Sequence, residues 1–371
     1  MITFITFVLV LGFLVLVHEL GHFVSAIKLG VDVEEFGIGF PPKIFSIKRK
    51  GIVYSLNLIP LGGFVKIKGE SGDEDKNDPR SFANQKAWKK SIILSAGVFM
   101  NLVSAFVLLS IGFYLGLPQA IDRNIQDKNI TYQGVVIMEV MENSSADKSG
   151  LEIGDYIISI NDKELDQADD VYDSISSNIA DNSENIKLVI KRRGEEKEFD
   201  IKPTIMENNS QPIIGIGLID TGIVNYSFLG SIIHGFNVTI AMIKNIIIAF
   251  GELLWNLITG QGLAQELSGP VGVAIISGQV AKMGWIYVLQ FAAILSINLG
   301  IINILPFPAL DGGRLLFVAI EKIRGKKIPP KIEALIHNTG FILLLLLILV
   351  VTFRDIGKYG GGFIEMIKNI F

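Results

Sequence analysis

The first 27 residues read MITFITFVLVLGFLVLVHELGHFVSAI (residues 1–27), an apolar run whose only ionisable side chains are His18, Glu19 and His22. About 20 such residues cross a bilayer as a helix, so the stretch predicts a membrane span and the fold class turns on it. A cleaved signal peptide fits poorly, because it needs a basic leader and the first positive side chain here is Lys28. Within the run, His18-Glu19-Leu20-Gly21-His22 is an H-E-x-x-H sequence. Helix positions four apart share a face, so both imidazoles can reach one Zn²⁺ while Glu19 stands ready to accept a proton from an activated water. Solvated or core histidines are the ordinary alternative for so short a motif. Here, however, two of the chain's four His lie with a Glu inside a lipid-spanning helix. Ionisable groups there cost a few kcal/mol each and need a partner, which a metal supplies.

The composition fits a membrane protein. Of 371 residues, 50% are hydrophobic and only 19% charged, against about 25% in soluble domains; the mean hydropathy is +0.47. Disordered, collagen-like and nucleic-acid-wrapping classes are excluded, and a pI near 5.7 argues against phosphate-backbone binding. With no Cys there is no disulfide framework and no thiolate metal site.

Three further stretches are apolar enough to span: residues 91–117, 283–310 and 339–353. Residues 228–258 are apolar too, but His234, Asn237, Lys244, Asn245, Glu252 and Asn256 recur through them. That pattern suits an amphipathic helix lying in the membrane interface. Loop charge tests the count. Twelve Lys/Arg fall in residues 28–90 and six in residues 314–338. Four spans put both basic loops on the cytoplasmic side, whereas a fifth would separate them. The expectation is a polytopic α-helical protein of the bacterial inner membrane with about four transmembrane helices.

Between the second and third spans lies an insert, residues 119–212, with ten Lys/Arg against twenty Asp/Glu. Short alternating runs at residues 134–137, 156–161, 186–191 and 198–202 predict a small sheet on the outer side. Residues 69–83 read as a solvated loop and 207–210 as a linker.

Two His leave a catalytic zinc one protein ligand short. Glu34 and Glu35 are the nearest downstream carboxylates but lie beyond the span. Asp311 is the better candidate, in Asn303-Ile304-Leu305-Pro306-Phe307-Pro308-Ala309-Leu310-Asp311-Gly312-Gly313. Prolines and glycines break a helix here, which lipid tolerates only where protein or a cavity satisfies the backbone. An interfacial turn with Asp311 capping the next helix is the alternative. Topology favours the ligand: with four spans the first and third helices both run inward, bringing His22 and Asp311 to the cytoplasmic half of the bilayer.

These residues resemble the site-2 protease family of intramembrane zinc metalloproteases, in particular its bacterial RseP-like branch. H-E-x-x-H in the first span and N-x-x-P-x-P-x-L-D-G-G at the end of the third carry the resemblance. Phe36-Gly37-Ile38-Gly39-Phe40, Pro60-Leu61-Gly62-Gly63-Phe64-Val65-Lys66 and Ser268-Gly269-Pro270-Val271-Gly272 support it, in family order. It implies His18, His22 and Asp311 as zinc ligands, Glu19 as general base, and Asn303 beside the substrate backbone. It also implies that residues 28–90 hold a membrane-associated β-hairpin, with 53–59 and 64–68 as candidate strands around Pro60–Gly63. The run Ala146-Asp147-Lys148-Ser149-Gly150-Leu151-Glu152-Ile153-Gly154-Asp155 resembles a PDZ domain, which would bind extended peptides or bar bulky ectodomains. Only one such domain fits in the insert, whereas the better-known RseP has two.

The implied function is cleavage within single-span membrane proteins, such as an anti-sigma factor or a remnant signal peptide, after a site-1-type protease removes the ectodomain. The rival reading is a non-catalytic membrane scaffold with structural zinc, which would have no use for Glu19. Asn303 taken alone, like Asn101 and Asn298, reads as a helix–helix hydrogen-bonding residue.

Overall fold

A computed structural model describes residues 2–70, 78–121, 129–141, 144–165, 167–180, 185–192, 194–204, 213–260 and 269–358. The chain forms two compact units. One comprises Met1–Ser110, Ile232–Ala281 and Val288–Phe371; the other comprises Ile111–Ser231 with Lys282–Tyr287. In chain order the elements begin with α1 (Ile2–Lys28), β1 (Val33–Arg49), β2 (Ile52–Ile67), α2 (Ala87–Leu115), β3 (Leu117–Ala120) and β4 (Ile130–Val140). There follow α3 (Ser145–Ser149), β5 (Tyr156–Ile160), β6 (Lys163–Glu164), α4 (Ala168–Ala180), β7 (Ile186–Arg192), β8 (Glu195–Ile201) and β9 (Ile216–Val224). The chain continues with α5 (Phe228–Thr259), α6 (Pro270–Met283), α7 (Trp285–Ile304), α8 (Asp311–Arg324) and α9 (Pro330–Lys358).

In the first unit, α1 and α2 touch backbone to backbone. A Cβ on Gly21 would sit 2.3 Å from the Ala96 carbonyl oxygen, and small residues at such crossings are what allow apolar helices to associate without a hydrophobic driving force. Below the crossing, Ala26, Val31, Val33, Ile67, Phe82, Ile93, Leu94 and Val318 form one buried cluster. It ties the end of α1 to the root of the hairpin, to α2 and to α8.

The hairpin is present with the turn its sequence suggests and with a further one. Residues 43–49 pair antiparallel with 52–57 across a reversal at Lys50-Gly51 (φ 50° and 88°), the left-handed pair that two-residue hairpin turns require. Residues 35–38 pair with 53–56 running the same way and with 63–66 running the opposite way. The chain therefore reverses a second time within β2, between Leu56 and Gly63, where Pro60–Gly63 lie. Those residues face α1: Gly62 (φ 126°) lies where any Cβ would be 2.7 Å from a Val15 methyl. The glycine serves close approach to a helix within that reversal. Ile44, Phe45, Ile47, Leu56 and Leu58 are exposed along the hairpin, a surface that suits lipid better than water.

Among the described residues, five helices are long and apolar enough to cross a membrane: α1, α2, α5, α7 and α9. The difference from the expected four is α5. Residues 228–258 form one unbroken helix, and their recurring polar side chains leave enough apolar length to meet that criterion. The stretch 283–313 also resolves differently, into the end of α6, a separate α7, a non-helical loop at 305–310 and the start of α8. The last apolar run is longer than its Leu-rich centre, because α9 adds the polar turns from Pro330 onward.

The second unit is an antiparallel sheet in the order β3-β9-β4-β5-β7-β8, with β6 beside β5. Four of its strands were expected. The sheet, however, reaches past residue 212: β9 lies between β3 and β4, and its Gly217, Asp220 and Gly222 blur the alternation that marks a strand. The core is aliphatic, with Val135, Ile137, Ile160, Val171, Leu188, Ile190 and Ile201 among its members. One charged group is sealed beside it. Asp155, 1% exposed, accepts Arg192 Nε at 2.6 Å, Arg192 Nη2 at 2.7 Å and the Glu152 N–H at 2.8 Å. Removing one partner of such a pair leaves a buried charge and costs about 3–5 kcal/mol. Arg192→Met should therefore strip at least about a hundredfold of hydrogen-exchange protection from the β5 and β7 amides; unchanged protection would show that the pair adds nothing.

Candidate active site

Four elements of the first unit build the site. α1 carries His18 and His22 on one face, each 6% exposed. The first turn of α8 carries Asp311, 293 positions away from His18. Asp311 Oδ2 lies 2.9 Å from His18 Nε2 and 3.2 Å from His22 Nε2, and the two Nε2 atoms are 3.1 Å apart. Among the described residues this is the group of His and carboxylate side chains arranged as a metal site would require.

The chemistry of the donor set fits zinc. Two imidazole nitrogens and one carboxylate oxygen are the ligand number and types of a catalytic zinc site, which keeps its fourth position open. The outer hydrogen bonds agree for His22: its Nδ1–H donates to the Ile93 carbonyl (2.8 Å), leaving a lone pair on Nε2. α2 makes the space. A Cβ on Gly97 would stand 2.4 Å from His22 Nε2 and 2.7 Å from His18 Nε2, so only glycine passes here.

The chain reaches this geometry by breaking a helix at 305–310. Gly312 and Gly313 sit where a Cβ would be 2.2 Å and 2.3 Å from the carbonyl oxygens of Ile304 and Phe307. Ala309 takes a left-handed conformation (φ 77°) and donates its N–H to His337 Nδ1 of α9 at 3.0 Å. That bond satisfies one backbone donor at a depth where water is scarce.

Glu19 is half-buried beside the cluster, and its Oε2 accepts the Val65 N–H of β2 at 3.0 Å. The hairpin thus orients the carboxylate. Asn303 is not drawn into the cluster: it is partly exposed on the last turn of α7 and its side chain makes no hydrogen bond among the described residues. Glu34 and Glu35 pair with Lys66 and Lys43 along the hairpin. Asn101, read from sequence as a helix-packing residue, instead lies 3.2 Å from His18 Nδ1. The available signal was its spacing from Gly97, one helical turn away on the same face.

With this geometry established, comparisons with known proteins become informative. The family model for Peptidase family M50 matches residues 6–347. Zinc metalloprotease RasP of Geobacillus kaustophilus is 33% identical, over 96% of this chain and 98% of that relative. Regulator of sigma-W protease RasP of Bacillus subtilis is 31% identical over the same shares. Among solved structures, the PDZ domain of an SdrC-like protein from Listeria monocytogenes is similar to 25% of this chain and to 93% of that domain, at 28% identity and a TM-score of 0.22. Matched from its first span to its last, the chain belongs to Peptidase family M50, the site-2 type of zinc metalloprotease.

Proposed function

We propose that this protein is an intramembrane zinc endopeptidase that hydrolyses peptide bonds within the transmembrane segments of single-span proteins. His18, His22 and Asp311 are its metal ligands and Glu19 its general base. One observation carries the reading: two imidazoles of an apolar helix meet a carboxylate from the far end of the chain, with a half-buried glutamate alongside.

When bound, zinc supplies a Lewis acid that polarises the scissile carbonyl and makes water acidic enough to lose a proton near neutrality. The protein supplies the rest. Glu19 accepts the proton of the attacking water and returns it to the leaving nitrogen. The Val65 N–H holds the carboxylate in place between these transfers. A helical substrate hides its peptide bonds in its own hydrogen bonds, so a segment must unwind before it can be cut. The hairpin beside Glu19 offers strand edge for the unwound piece by β-addition. Asn303, on the last turn of α7, is assigned to the substrate backbone. The name of the Bacillus subtilis relative, a regulator of sigma-W protease, supports a signalling role in which an anti-sigma factor or a remnant signal peptide is cut after an upstream protease has acted.

We read the topology as four crossings in the inner membrane, with α5 at the outer surface and a PDZ-like outer domain. Contacts within the first unit support this. A Cβ on Gly278 of α6 would lie 2.4 Å from the Thr3 hydroxyl, and the Gly272 N–H of α6 donates to Asp355 Oδ2 at 2.8 Å. Thr3 is about 22 Å of helix from His18, and Asp355 about 27 Å from His337, so α6 rests at helix ends remote from the site. α5 starts on that same side, since a Cβ on its Gly235 would be 2.4 Å from the Ser110 hydroxyl, about 13 Å of helix beyond Asn101. A crossing by α5 would oblige the short polar stretch before α6, with Gln261, Gln265 and Glu266, to recross the hydrocarbon at once. The acidic insert then faces outward and the basic loops inward.

Glu19→Gln should keep stoichiometric zinc by elemental analysis yet cleave a labelled transmembrane peptide in detergent about 10²–10⁴-fold more slowly. Normal cleavage would sink the mechanism and leave the scaffold reading. Gly97→Ala should weaken zinc binding at least about tenfold, because a methyl there displaces the imidazoles. Wild-type affinity in a chelator competition would mean the metal is held elsewhere.

A further inference from the structure

An imidazole presents a lone pair at Nε2 only while its proton sits on Nδ1, and that Nδ1–H needs an acceptor. His22 has one in the Ile93 carbonyl, which can only accept. Among the described residues, His18 has no such carbonyl. Its Nδ1 lies 3.2 Å from the carboxamide of Asn101, a residue that is 0% exposed.

The two ends of a carboxamide are alike in shape and are told apart by their partners. With the amide nitrogen toward His18, the imidazole must accept at Nδ1 and carry its proton on Nε2, pointed at Asp311 and away from ligation. In that same orientation Asn101 Oδ1 is buried with no hydrogen-bond partner among the described residues, and an unsatisfied buried acceptor is costly. One half-turn of the amide gives that oxygen a partner, the amide nitrogen taking the place the oxygen leaves. It brings the oxygen to His18 Nδ1–H and frees Nε2 for a metal.

We infer that Asn101 is the positioning residue for His18, its side-chain oxygen accepting the Nδ1–H and so fixing the tautomer that can bind metal. This rests on the reading of His18, His22 and Asp311 as zinc ligands. α2 then serves the histidine pair at every fourth residue along one stripe: the Ile93 carbonyl holds His22, Gly97 leaves room, and Asn101 holds His18. The stripe is itself anchored, because Ser296 of α7 donates its hydroxyl to the Asn101 backbone carbonyl at 2.8 Å. That anchor uses no side-chain atom of Asn101, so it survives substitution.

The test compares zinc affinity of the full-length protein in detergent, by competition with a chromophoric chelator, for wild type, Asn101→Leu and Asn101→Asp. Leucine removes the acceptor and should weaken zinc about 10–100-fold. Aspartate can accept the same Nδ1–H and should stay within about threefold of wild type. Cobalt substitution gives a second reading: the ligand-field absorption should match wild type in Asn101→Asp and change in Asn101→Leu. Asn101→Leu binding zinc like wild type, or Asn101→Asp falling as far as a folded Asn101→Leu, overturns the inference. Should the leucine variant fail to fold, the aspartate variant decides by itself: retained affinity supports the role and lost affinity ends it. A wild-type protein without stoichiometric zinc would sink the ligand reading instead, so the two failures are distinct.

Discussion

Two imidazoles and a carboxylate meeting inside an apolar helix layer form the interaction on which this molecule depends. None of the three is tolerable alone at that depth. Together they satisfy one another, with Asp311 Oδ2 within 3.2 Å of both Nε2 atoms. The contact closes a loop of 293 positions in a chain of 371, and much of the first unit can be understood as the means of closing it. α2 must pass close enough to buttress the histidines, which Gly21 and Gly97 allow. The chain must leave α7 abruptly, which the Pro306 to Gly313 stretch accomplishes.

The same economy governs the backbone. Where the helix breaks at 305–310, His337 accepts the Ala309 N–H, and where β2 passes α1, Glu19 accepts the Val65 N–H. In a soluble protein water would serve at either place. Here a side chain does, and in the second case that side chain is the one with catalytic work assigned to it. Holding the proposed base and satisfying the strand are a single interaction, which ties the hairpin to Glu19.

Legibility varied with how far each feature depends on neighbours in sequence. The H-E-x-x-H pair and the apolar helix around it could be read from spacing alone, since positions i and i+4 share a helix face whatever surrounds them. Asp311 could be nominated because lipid penalises an unexplained helix break. The reversal at Pro60–Gly63 could be read from its turn composition, whereas the second one at Lys50-Gly51 carries a weaker signal and emerges only in the structure. β9 was overlooked because two glycines and an aspartate interrupt its alternation. Asn101 was given a packing role because an asparagine in a span looks the same whether it faces a helix or a histidine.

What the sequence by itself determined was the class of molecule and the candidates for its reactive groups, because hydropathy, charge bias and helical periodicity are local properties. Only the tertiary structure decided which carbonyl, strand N–H and carboxamide stand behind those groups. Such partners are chosen by packing distances of a few ångströms between segments tens or hundreds of residues apart, and no local pattern records them.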